Sequence, residues 1–155
     1  MGIVYDLGDE VKEYVDKMIA DYHPLLADCR IGYLFRTPVL MDKGREVVAK
    51  ISKFPPKFLP LFKKLYDTED ENMDTREYVY LIEVSHEIWV DLSEAERYAV
   101  MDHELCHCDV EEQKDGSMKY SLVGHDYEEF DAVIKRHGIY TGELETLATT
   151  ILGTV

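Results

Sequence analysis

Residues Ser93 to Cys108 read SEAERYAVMDHELCHC. The opening Ser93-Glu94-Ala95-Glu96 matches a capping box, with the Ser93 hydroxyl serving the free amides of a first turn and Glu96 reaching back to the Ser93 amide. A helix is therefore predicted from about Glu94 to Cys108. Residues four apart share a helical face, so His103 and His107 can grip one metal ion while Glu104 faces a water beside it. On the helical wheel Leu92, Ala99, Val100, His103, Cys106 and His107 gather on one side. Tyr98, Met101, Leu105 and Cys108 make an apolar opposite side. Such a helix must be covered on both faces, as it would be between a sheet and a second helical layer. Buried histidines without partners are costly there, which favours a metal over an accident of spacing.

A catalytic zinc usually takes three protein ligands and keeps one position open, so a third ligand is sought elsewhere. Downstream of a turn at Glu111 to Ser117 and an extended run around Met118 to Val123 comes GHDYEEF, Gly124 to Phe130. Asp126 and Glu129 have the spacing of a second capping box variant. They predict a helix from Tyr127 to His137 that stops at Gly138. His125 then sits in a stiffly held loop before that helix and is expected to be the third zinc ligand, with Glu128 and Glu129 as rivals. His137 is expected to cap its helix end, where a cation meets the helix dipole favourably. Cys106 and Cys108 read as packing residues, and Leu144 to Val155 as a last amphipathic helix.

Upstream, Val11, Tyr14, Val15, Met18, Ile19 and Tyr22 have helical spacing, which predicts a packing helix over Asp9 to Tyr22 with Asp9 as cap and Pro24 as stop. His23 marks its exit and is not expected to be a ligand. Arg30 to Phe35 suits a strand ended by Thr37-Pro38, and Val47 to Ile51, after a turn at Lys43-Gly44, suits a second strand paired with it. Tyr78 to Val84 followed by Ile88-Trp89-Val90 reads as one strand or as one interrupted near Ser85-His86. It could be an edge strand that holds an extended peptide by main-chain hydrogen bonds, or an ordinary core strand. Between Lys43 and Lys64 the charge is basic, with Phe54, Phe58 and Phe62 interleaved. An aromatic and basic nucleic-acid surface is conceivable, but the favoured reading is a short helix after Pro55-Pro56 with its apolar face in the core and its lysines in water. Asp67 to Asp74 reads as an exposed acidic loop.

The 155 residues, 46% of them hydrophobic, suit a single domain over residues 1–155. A formal net charge of -15 argues against non-specific attraction to nucleic acid or anionic membrane. Three cysteines, two of them beside the histidine pair, do not suggest a disulfide framework and fit a reducing compartment. The amino terminus lacks the pattern of a signal peptide and no apolar run is long enough to span a bilayer, so a cytoplasmic location is expected. Oligomeric state is not legible.

Taken together, the runs Trp89 to Leu92, His103 to Cys108, His125 to Phe130 and Arg136-His137-Gly138 resemble the phage metallopeptidases and, more distantly, the SprT/Spartan-like zinc proteases. The resemblance covers about Arg30 to Tyr140. It implies an α+β fold of the small zincin-like (minigluzincin) kind, a twisted, mostly antiparallel sheet with the HExxH helix and flanking helices. In SprT-like proteins a histidine followed by a short helix containing Glu-Phe supplies the third ligand, which supports His125. The chain lacks their C-terminal zinc ribbon, and its acidity removes the usual basis for engaging DNA. The expected function is zinc-dependent hydrolysis of peptide bonds in a protein or peptide substrate, with Glu104 as general base and with Tyr127, Tyr140 or His86 as an oxyanion donor. The alternative is an acidic interaction protein, a decoy imitating DNA charge, with a structural zinc site and no catalysis.

Overall fold

Two strands with almost no polar alternation, β2 (Arg30–Thr37) and β6 (Tyr78–Ser85), lie side by side and parallel at the centre of the fold. A strand that is apolar along its whole length must be covered on both faces, and both of these are. The computed structural model describes residues 2–66, 76–124 and 136–137. β1 (Val4–Leu7) pairs antiparallel with β2, and β5 (Ala49–Lys53) antiparallel with β6, giving the order β1-β2-β6-β5. The fold is α+β, and antiparallel apart from the central pair.

Alternate residues of the central strands feed two separate cores. Ile31, Tyr33 and Phe35 of β2 and Tyr80, Ile82 and Val84 of β6 face α1 (Asp9–Tyr22) and α4 (Glu94–Cys106), meeting Val11, Val15, Met18, Met101 and Leu105. Leu34 and Leu81 point the other way, onto Phe58 and Phe62. Phe62 belongs to α2 (Leu59–Tyr66), which follows a single 3-10 turn at Pro56–Phe58. Pro60 falls in the first turn of α2, where no amide is needed for the helical ladder. Gly32 makes this second layer possible, because a Cβ there would stand 2.8 Å from the Phe62 ring. Phe58 and Phe62 are buried and Phe54 packs partly buried against them, so these rings face the second core. Phe58 and Phe62 are core, in line with the favoured reading.

Several expected features take a different form. Val47 to Ile51 does not pair with β2: β6 lies between them, and Val47 ends a separate hairpin of β3 (Leu40–Asp42) and β4 (Arg45–Val47). That hairpin turns through Lys43 and Gly44, both at positive φ (51 and 78°), as a two-residue turn matching strand twist requires. Of the alternatives read for Tyr78 to Val90, the core strand and the interruption near Ser85-His86 are the ones formed: β6 lies inside the sheet and is its best-buried strand, and the chain turns after Ser85 into the short helix α3 (His86–Trp89). Asp9 does not cap α1. Gly8 holds the N-cap position and Asp9 stands in the first turn. Cys108 is not helical but opens β7 (Cys108–Glu112), which pairs with β8 (Met118–Leu122). The expected loop over Asp67 to Asp74, the residues 125–135 and the tail lie outside the described residues.

Candidate metal centre

The capping box forms as its sequence requires: the Ser93 amide donates to Glu96 Oε1 at 2.9 Å and the Glu96 amide to Ser93 Oγ at 3.2 Å. With its first turn so fixed, α4 packs Ala99, Met101 and Leu105 into the core. His103 and Glu104 lie on its last turn, and His107 is the C-cap residue, still with right-handed helical dihedrals (φ -70, ψ -21). The face is thereby kept to the end of the motif. The His103 and His107 rings stand 5.2 Å apart at 69°.

Donor atoms of His103, Glu104 and His107 all lie within 4.8 Å of one another. Glu104 is 5% exposed and its two oxygens have separate tasks. Oε1 accepts the Ile51 amide of β5 at 3.1 Å, while Oε2 stands 3.6 Å from His103 Nε2. His107 Nδ1 lies 2.7 Å from the Val123 carbonyl, an oxygen that can only accept. The ring therefore donates from Nδ1 and, when neutral, carries its lone pair on Nε2, the tautomer a metal-binding imidazole needs. The Val123 amide returns a bond to the His107 carbonyl at 2.7 Å, so β8 and the motif are stitched together on both sides of one residue.

A family model described as putative phage metallopeptidase matches residues 5–151. The chain belongs to that family. No curated protein and no solved structure matches it. Family membership implies a metal ion and a peptide substrate, and the donor chemistry fits a metal. Two imidazoles and a carboxylate converge at a site that is neither sealed nor fully exposed, and one imidazole is held in the ligating tautomer.

Of the four residues expected at the site, the structure brings together His103, Glu104 and His107. His125 lies outside the described residues, two positions beyond the anchored Val123. Glu128, Glu129, Tyr127 and Tyr140 lie outside them too. His86 packs edge-on against Phe35 with ring centroids 4.8 Å apart. Cys106 lies on the Asp102 side of α4, its Sγ 3.8 Å from Asp102 Oδ1. Cys108 is packed beside Tyr80, and burial first of all pushes its thiol far up.

A second polar cluster in this family member was not read from the sequence. Asp102, fully buried, takes the His23 Nε2 donor at 2.6 Å, Arg136 Nη1 at 2.8 and 3.0 Å on its two oxygens, and His137 Nε2 at 2.9 Å. Burial alone would raise the Asp102 pKa, but the hydrogen bonds from His23, Arg136 and His137 outweigh it and hold the carboxyl below its ordinary value. His23 does mark the exit of α1, as expected, and its ring turns inward to this acid. His137, expected to serve its own helix end, reaches across to Asp102 instead. The one available signal was an acid on a helix otherwise apolar on both sides. A buried carboxylate needs hydrogen-bond donors or cationic partners to hold it.

Proposed function

We propose that the protein is a zinc-dependent peptidase whose metal is held by His103, His107 and His125, with Glu104 as general base. The observation that carries this reading is the division of labour on Glu104. With Oε1 fixed by the Ile51 amide, Oε2 is aimed toward the space between the two histidines, where the proton of an attacking water would be. When bound, zinc supplies Lewis acidity that brings the pKa of water toward neutrality and polarises the scissile carbonyl. Glu104 takes the proton from the water and hands it to the leaving amine. His125 is assigned as the third ligand from its sequence context, two positions after Val123, whose carbonyl is tied to His107 at 2.7 Å.

The substrate-binding edge is β5 in place of the central β6. The Val48 carbonyl accepts from the Ser85 amide and the Phe54 amide donates to the Val79 carbonyl, both in β6, so the Ile51 amide between them turns outward, to Glu104. An extended peptide pairing with that edge would lie alongside the general base. Arrangement on one strand thus couples substrate placement to the base.

Purification without chelator should give a protein with one bound zinc, lost in His103→Ala and kept in Glu104→Gln. Cleavage of an unfolded protein substrate should vanish in both. Absence of stoichiometric zinc in the parent sinks the site. Zinc without any cleavage that depends on Glu104 leaves the acidic interaction protein with a structural zinc.

A further inference from the structure

β7 and β8 form a two-stranded sheet of their own, and a lone hairpin of that kind is marginally stable at best. Yet the carbonyl that orients His107 belongs to Val123, the residue that follows β8. Side chains of the main sheet attach the hairpin. The Tyr80 hydroxyl of β6 donates to the Ser121 carbonyl at 2.8 Å, and Lys53 Nζ of β5 donates to the Tyr120 carbonyl at 2.8 Å. Tyr80 is the inner of these two ties. It is fully buried, its ring meets Tyr120 edge-on with centroids 6.1 Å apart, and Lys53 Nζ stands 5.3 Å from its centroid. Burial first of all pushes its phenol far up, so the hydroxyl keeps its proton and stays a donor.

Pairing within the hairpin does not by itself fix the hairpin against α4. Cys108 faces Leu122 in the first pair, and the Val123 amide continues that ladder to the His107 carbonyl, so all of these bonds move together with the hairpin. A swing about His107 and Cys108 would change the angle at which the Val123 carbonyl meets the His107 ring. Hydrogen bonds weaken steeply with such misalignment. Without that acceptor either ring nitrogen can carry the proton, and the lone pair is no longer confined to Nε2.

We propose that Tyr80 is a positioning residue for the metal: by holding the Ser121 carbonyl it fixes β8 against the main sheet, aims the Val123 carbonyl at His107 Nδ1 and so keeps the His107 lone pair on Nε2. This rests on the zinc reading above, in which His107 is a ligand. Tyr80 sets metal affinity without touching the metal.

The full chain tests this in parent, Tyr80→Phe and Tyr14→Phe. Nitrogen NMR of the imidazoles in the metal-free protein reads the His107 tautomer, and competition with a chromophoric chelator reads zinc affinity. Tyr14→Phe deletes a hydroxyl from the same core, one that meets Arg97 at 3.3 Å near the start of α4, and controls for general loosening. Tyr80→Phe should weaken zinc binding about tenfold, the low end for losing a group that supports a metal ligand, and His107 should lose its Nδ1–H tautomer. Tyr14→Phe should keep that tautomer and leave zinc affinity within about twofold, since distant sites act independently. Should Tyr80→Phe not fold, Lys53→Met removes the neighbouring tie from outside the core and is read in the same way. A parent-like tautomer or parent-like zinc affinity in Tyr80→Phe overturns the positioning role, as does equal weakening in Tyr14→Phe. A parent that binds no zinc overturns the zinc reading, and with it any role of Tyr80 toward a metal.

Discussion

His103, Glu104 and His107 form one polar cluster on the last turn of α4; Asp102, the residue just before them, anchors another with His23, Arg136 and His137. Both combine imidazoles with a carboxylate in a half-buried or buried setting, yet their chemistry differs. Around Asp102 every contact is a donor aimed at one acceptor, and Arg136 balances its charge permanently. Around Glu104 one oxygen is fixed by a main-chain amide, and one imidazole is held with its lone pair on Nε2. The same residue types thus give a closed structural knot in one case and a site suited to a cation in the other. What decides between them is the presence of a permanent cation and the direction of the imidazole proton.

The comparison breaks most decisively at Glu104. Glu104→Gln keeps the Ile51 hydrogen bond but cannot take a proton, so peptide hydrolysis should fall about a hundred- to ten-thousandfold with stability nearly unchanged. Turnover and urea denaturation measured side by side check this, and a large stability loss would show Glu104 to be structural like Asp102. Asp102→Ala should do the reverse. It leaves the partly exposed Arg136, His23 and His137 without their anion and should cost about 3 kcal/mol of unfolding free energy, the low end for breaking a buried pair. A shift within experimental error in the denaturant midpoint would mean that the knot is not formed in solution.

Asp102→Asn keeps the shape of the side chain while removing its charge, and hydrogen bonds to charged groups are worth about 1.5–3 kcal/mol each, so a loss of that order is expected. A milder effect than that of Asp102→Ala would place the knot's value in charge and geometry together. Ser93→Ala should have the smallest effect, about 1 kcal/mol, and should weaken both clusters alike because it frays the helix that carries them. This contribution has a defined pH dependence. The Ser93 amide, and then its hydroxyl, hold the Glu96 carboxyl below its ordinary 4.5. The Glu96 side of the capping box is therefore fully present above that value and is lost as pH falls through the lower, folded-state pKa. The stability gap between Glu96→Gln and parent should therefore shrink in acid, as thermal melts at neutral pH and below pH 4 would show.

How far the sequence reaches can be seen from particular elements. Local patterns sufficed for α1, whose bounds Asp9–Tyr22 follow from apolar spacing and Pro24, and for the capping box that starts α4. The metal motif was legible because its geometry is internal to a single helix. Strand partners were not legible. Val47 to Ile51 and Arg30 to Phe35 are close in the chain, but the strand between their sheet positions comes from residues 78–85. The apolar run Tyr78 to Val84, broken by Glu83, was legible as a strand but left edge and core positions both open, because nothing in it says which neighbours would cover it.

The sequence by itself determined that a capped helix presents His103, Glu104 and His107 on one face, because helical periodicity and capping depend only on residues a turn apart. Tertiary structure alone decided that Ile51 of an edge strand would hold Glu104, and that Val123 would fix the His107 tautomer. It also decided that His23, Arg136 and His137 would converge on Asp102. Those contacts join residues far apart in the chain. They depend on where sheet and helices pack, and no local spacing encodes that.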